Sequence, residues 1–182
     1  MRAVIVFAIT AAYPLLVFLG LGHFEPRWLA LMLAALALLR ALGSRNDRFW
    51  WWAAAAGLVL AAVSALANEA LPLKLYPVLV NTVLLLVFGA SLRHPPSMIE
   101  RLARLREPAL DARGVAYTRR VTQVWCGFFA LNGSIALATA LWGSDRSWAL
   151  YNGLISYLLI GALFAGEWLV RRRVRARHKT AP

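Results

Sequence analysis

The chain is poor in the residues that most chemistry needs. In 182 residues there are one cysteine, three histidines and eight acidic side chains. A lone Cys126 excludes disulfides within the chain and any cysteine-held metal cluster. His23, His94 and His178 are scattered through loops and tail, on opposite sides of the membrane topology derived below, so they cannot converge on an ion. No phosphate-cradling glycine loop, HExxH or GxSxG occurs, and His94-Pro95-Pro96-Ser97 lacks the His-x4-Asp order of common acyltransferases. The sequence offers no metal site, no cofactor site and no residue to cast as catalytic.

Charge is scarce as well. Only 15% of residues are charged, against about 25% in a typical soluble chain. Hydrophobic residues make up 61% and mean hydropathy is +0.63. A soluble domain could not cover itself with so little polar surface.

What is present is a series of long apolar runs: 3–22, 28–42, 50–67, 75–92, 121–142 and 148–170. A helix of about 20 apolar residues crosses a hydrocarbon core. The second run is short and can recruit the aliphatic stem of Arg40, which snorkels. A re-entrant second run would leave five spans and scatter basic loops onto both sides. The charges decide. Arg2, the loop with Arg40, Arg45 and Arg48, the loop 93–120 and the tail 171–182 together hold 17 Lys and Arg, whereas the other three loops hold Arg27, Lys74 and Arg146. Positive residues mark cytoplasmic loops. The expected fold class is therefore all-α, a polytopic bundle of about six spans with both termini inside. Residues 1–170 form one transmembrane domain, followed by a basic, unstructured tail.

Met1-Arg2 and the apolar run behind it lack a small-x-small cleavage site, so they read as a signal anchor. The pI near 11.4 would suggest nucleic acid in a soluble protein; here cytoplasmic arginines beside anionic lipid account for it. All eight tryptophans fall near span ends, as an aromatic belt requires.

The loop 93–120 is the longest. Pro95-Pro96 stops the fourth span, and Ser97-x-x-Glu100 has the form of a capping box. From Met98 to Glu107, residues Met98, Ile99, Leu102, Ala103 and Leu105 fall on one face, with Glu100, Arg101, Arg104 and Glu107 opposite. This pattern predicts one amphipathic helix in the cytoplasmic interface, as a lipid anchor or a docking surface.

Polar groups inside a membrane need a partner or a purpose. No carboxylate sits mid-span, which argues against a proton pump. Glu167 precedes Arg171 by one turn, the spacing of an ion pair. Glu69 and Lys74 flank the third loop and are expected to be exposed; Cys126 is expected to pack. The uncharged set is Asn81 with Thr82, then Gln123, Asn132 and Ser134, then Asn152, Ser156 and Tyr157. Small residues Gly127, Ala130, Ser134 and Ala138, with Gly161 and Ala165, allow close helix approach, and amides then bond across it. Two readings stay open: Asn81, Gln123, Asn132, Asn152, Ser156 and Tyr157 either glue helices or line a cleft for a ligand. Tyr13-Pro14 and Tyr76-Pro77 would fit an inverted repeat, but the flanking sequence does not match; Pro14 more plainly predicts a kink.

From Pro96-Ser97-Met98-Ile99-Glu100-Arg101-Leu102-Ala103-Arg104, through Glu107-Pro108, Tyr117-x-Arg119, Val121-Thr122-Gln123-Val124-Trp125-Cys126, Phe128-Phe129 and Asn132-Gly133, to Trp148-x-x-Tyr151-Asn152-Gly153, the chain resembles an uncharacterised family of small bacterial inner-membrane proteins. The likeness covers roughly 72–170, and the first three spans fit by hydropathy alone. It implies a multi-pass protein of the bacterial inner membrane. Family members stand beside acyl carrier proteins and acyl ligases of aryl-polyene or fatty-acid-like clusters, and some carry the label ketosynthase. That label does not suit this chain, because ketosynthase chemistry needs an activated cysteine and two histidines in a larger soluble fold. The resemblance brings no catalytic residues. The leading expectation is a non-catalytic accessory component of such a pathway, whose basic cytoplasmic face, Arg101, Arg104, Arg113, Arg119 and Arg120, holds an acyl carrier protein, an acyl ligase or anionic headgroups. The alternative is a small transporter or lipid-handling protein using the polar cluster; a membrane transferase ranks last.

Overall fold

A computed structural model of the chain describes residues 17–20, 24–28, 30, 31, 34 and 48–179. Among these, every regular element is helical. The expected spans 3–22 and 28–42 fall largely outside the described residues.

Helix α1, Arg48–Ala67, is rich in alanine and leucine. It stops where Asn68 turns to a positive φ of 53°, a conformation asparagine tolerates better than most residues. The Glu69 amide then donates back to the Ser64 carbonyl at 3.3 Å, the six-to-one bond of a Schellman end. The short α2, Leu71–Lys74, and α3, Tyr76–Arg93, each carry proline in the first turn, where its missing N–H costs nothing. Helix α4, Met98–Arg104, forms the glutamate arm of the expected capping box, the Ser97 amide donating to Glu100 Oε2 at 3.3 Å. Helix α5, Ala112–Trp142, starts at Asp111, whose carboxylate accepts from the Gly114 amide at 2.7 Å. A tight connection through Gly143 and Ser144 leads to α6, Asp145–Leu150. A Cβ on Gly143 would lie 2.5 Å from the Thr139 carbonyl oxygen, so the turn requires glycine. A π-turn over Tyr151–Ile155 joins α6 to α7, Ser156–Lys179.

Three helical stretches among the described residues are long and apolar enough to cross a membrane: Leu71–Arg93, Ala112–Trp142 and Asp145–Val170. They overlap the runs 75–92, 121–142 and 148–170; α1 overlaps 50–67. Two boundaries differ from expectation. Helix α5 begins at Ala112 rather than in the run 121–142, because Asp111 caps it and arginines sustain helix well outside an apolar run. Its 31 residues measure about 46 Å, longer than the roughly 30 Å of a hydrocarbon core. The tail, expected to be unstructured, continues α7 to Lys179; cations at a helix C-terminus suit the helix dipole.

Helix α3 lies along α5. The buried residues of α5 are Thr118, Thr122, Trp125, Phe129, Asn132, Ala136 and Ala140, spaced three and four apart as a helix seam requires. At one level, Phe88 of α3 meets Phe129 edge-on at 5.1 Å, and Phe164 of α7 meets Trp125 at 4.7 Å. At the other end, Val17, Ala30, Ala61, Leu73, Ala140 and Trp148 make a buried cluster. The same end gathers an Arg27–Glu25 pair, an Arg27 amide bond to Asn68 and a Lys74–Asp145 pair.

Two tryptophans and one lysine depart from expectation here. Trp148 is fully buried and its indole N–H donates to the Lys74 carbonyl at 3.1 Å. Trp125 is buried among phenylalanines. Both side chains turn inward, because each has a packing partner in another helix. Trp28, Trp142 and Trp168 are exposed, while the side chains of Trp50, Trp51 and Trp52 lie outside the described residues. The Lys74 side chain is only 14% exposed, and it pairs with Asp145.

Candidate functional site

Two groupings of polar side chains stand out, one inside the helices and one at the arginine-rich end.

The inner grouping is a chain of hydrogen bonds across three helices. Tyr151 donates its hydroxyl to Asn132 Oδ1 at 2.9 Å. Asn132 Nδ2 donates to Asn81 Oδ1 at 3.1 Å, and Asn81 Nδ2 donates to the Pro77 carbonyl at 2.8 Å. Both asparagines are buried. Gly133 permits the contact, since a Cβ there would sit 3.0 Å from the Asn81 Cβ. Asn152 Nδ2 donates to Thr139 Oγ1 at 3.2 Å and to the Trp148 carbonyl at 2.9 Å. Ser156, one turn on, is buried, and Tyr157 is half-buried. Gln123 is exposed: it follows the buried Thr122 and so points off the packed seam. Thr82 and Ser134 are exposed and bond to carbonyls of their own helices.

Of the six residues singled out by polarity, Asn81 and Asn132 therefore bond to each other. Asn152 and Ser156 share the buried face of the last span, and Gln123 stands apart. Polarity alone did not single out Tyr151 or Thr139. Tyr151 and Asn152 are consecutive yet both reach α5 side chains, and they do so at the π-turn, which no simple periodicity announces.

The second grouping surrounds α4. The Met98 amide donates to Ser91 Oγ at 2.9 Å and the Ile99 amide to Thr122 Oγ1 at 3.3 Å, so hydroxyls of α3 and α5 satisfy the start of α4. Glu100 is buried, not on an outer polar face as the amphipathic pattern implied. Its Oε2 accepts from the Ser97 amide at 3.3 Å, and its Oε1 accepts from Arg104 Nε and Nη2 at 3.0 and 2.8 Å. Arg104 Nη1 donates to the Pro108 carbonyl at 3.0 Å. Arg101 Nε donates to the Pro96 carbonyl at 2.9 Å. Among the five arginines expected to face a partner, Arg104 is thus committed within the chain and Arg101 partly so. Arg113, Arg119 and Arg120 are exposed along the start of α5, and Arg93 and Arg106 join them.

Among the described residues no three His, Cys, Asp or Glu side chains could hold one metal ion. Cys126 is half-buried. The Tyr117 hydroxyl donates to the Glu167 carbonyl at 3.4 Å; the Arg171 side chain, the expected partner of Glu167, lies outside the described residues.

Compared with family models, curated proteins and solved structures, the chain matches none. The functional reading therefore stands on the two groupings. Amides bonded to one another hold helices in register, and exposed arginines attract anions.

Proposed function

We propose that the chain is a non-catalytic component of the bacterial inner membrane, with six spans and both termini in the cytoplasm. Its arginine-rich end docks an acidic acyl carrier protein for a lipid or aryl-polyene-like pathway. The observation that carries this reading is the asymmetry between the two ends. At one, Lys74 and Asp145 neutralise each other, as do Arg27 and Glu25. At the other, Arg113, Arg119 and Arg120 are exposed on a helix longer than a hydrocarbon core is thick. Complementary charge raises encounter rates and fixes orientation more than it adds affinity, which suits a carrier that must come and go.

The alternative, a small transporter or lipid-handling protein, needs polar side chains that face a ligand. Asn81 and Asn132 face each other, so the inner grouping favours helix packing. The test is in-cell crosslinking and pull-down of the tagged protein, with Arg113→Glu/Arg119→Glu/Arg120→Glu beside the unchanged chain. Docking predicts that an acyl carrier protein or acyl ligase is enriched and that the triple variant loses it. Recovery of the same lipids and no such protein from both would end the docking reading.

A further inference from the structure

We infer that α4 and the turn that ends it form a membrane-surface anchor, with Leu102 and Leu105 inserted in an anionic leaflet and Arg101 and Arg106 on its phosphates. This rests on the reading of α3 and α5 as membrane spans. Leu102 is 53% and Leu105 80% exposed, and their spacing of three places them on one helix face. The depth of α4 follows from its two tethers. Met98 is held by Ser91 and Ile99 by Thr122, and those hydroxyls lie two residues from Arg93 and Arg120, the cations that bracket the apolar stretches. Helix α4 therefore starts at the level where hydrocarbon gives way to headgroups.

Its charge is sorted to match. The one carboxylate in α4, Glu100, is turned inward and paired with Arg104, so the outward side of the helix carries Arg101 and Leu102; Leu105 and Arg106 follow in the turn at its end, ahead of the exposed Glu107. Met98 and Ile99, which the sequence pattern groups with the leucines, are half-buried. Arg101 keeps its terminal nitrogens free of the Nε bond to Pro96. Two leucines at headgroup depth, flanked by cations, fit a phospholipid surface. A partner held by charge alone would satisfy the arginines and leave the leucines in water.

The test uses the full-length protein carrying Cys126→Ser, with single cysteines placed in turn at 102, 105, 113 and 131. Each is spin-labelled in nanodiscs of mixed phosphatidylglycerol and phosphatidylcholine, and collision with oxygen is compared with collision with a water-soluble nickel chelate. Leu131, exposed on α5 within its apolar stretch, reports the hydrocarbon; position 113 reports water. Labels at 102 and 105 should meet oxygen and escape nickel, as at 131. Arg101→Gln/Arg106→Gln should reduce the ratio of inserted to aqueous label by about fivefold per arginine, with no such change in pure phosphatidylcholine. If 102 and 105 meet nickel as freely as 113 while 131 stays shielded, the anchor is wrong and the spans stand. The anchor is equally wrong if an added acyl carrier protein, rather than lipid, is what shields them. If 131 also meets nickel, the spanning reading itself fails.

Discussion

The bond between Asn81 and Asn132 allows a quantitative test of what holds these helices together. Truncating Asn132 to alanine removes two interhelical hydrogen bonds, to Asn81 at 3.1 Å and from Tyr151 at 2.9 Å. Such bonds inside membranes average about 0.6 kcal/mol and reach about 1.7, so the pair amounts to about 1.2 kcal/mol. The orphaned Asn81 carbonyl oxygen adds to this, because an unsatisfied buried acceptor costs about 1–3 kcal/mol. Asn132→Ala should therefore destabilise by about 2–4 kcal/mol. Asn81→Ala keeps the Cβ that Gly133 packs against and should cost less. In Asn81→Ala/Asn132→Ala the shared bond can be lost only once, so the two effects should fall short of their sum by about 0.6–1.7 kcal/mol. The assay is unfolding in mixed micelles by titration with dodecyl sulfate, followed by helical circular dichroism. Additivity within about 0.3 kcal/mol would mean that the amides do not act as a pair, and the cleft reading would regain its case.

Glycine contacts give a second contrast. Gly133→Ala forces a Cβ within 3.0 Å of Asn81 and should cost about 1–3 kcal/mol in the same titration. Gly127→Ala and Gly161→Ala meet nothing within 4 Å and should stay within about 0.5 kcal/mol of the unchanged protein; a large loss at either would show that these glycines face a partner. Trp148→Phe deletes the donor to the Lys74 carbonyl and should cost about 1 kcal/mol, whereas Trp148→Ala should cost about 3–5. Equal, small effects would return Trp148 to the role of surface anchor. Glu100→Ala frees both the Ser97 amide and Arg104, so amide exchange over 97–108 should accelerate at least about tenfold. Exchange over 76–93 should not change. Unaltered exchange in both regions would mean that Glu100 does not hold α4.

The span-length helices were legible because hydropathy over about 20 residues is a strong signal. The cap that Glu100 gives the Ser97 amide was legible because it is local, with both partners within four residues. What escaped the sequence was long-range. Trp148 looks like a belt residue until the Lys74 carbonyl is seen beside it, 74 positions away. Asn81 and Asn132 belong to one polar set by composition, yet nothing in the string shows that they bond while Gln123 does not. Glu100 misled for a related reason. A carboxylate beside two arginines looks like an outer face, but the hydroxyls of Ser91 and Thr122 pull the start of α4 against the helices and carry Glu100 inward.

That inward turn changes which substitutions can inform on docking. Arg101→Glu/Arg104→Glu reverses two charges of the loop, and from the sequence it looks like the natural way to disrupt a basic surface. Arg104, however, makes two bonds to a buried carboxylate and a third to the Pro108 carbonyl. A glutamate in its place would set two like charges together with one of them buried, a strongly destabilising change. Loss of a partner from that variant would report the unfastening of α4 as readily as the loss of a contact. Arg113 and Arg120 avoid this ambiguity. They stand seven residues apart, about 10.5 Å along α5, both exposed and off the seam that buries Thr118 and Thr122. Reversing them should leave the helix packing intact and change chiefly the rate and salt dependence of association. If capture of a carrier protein survives reversal at 113, 119 and 120, the contact does not run through the exposed arginines of α5.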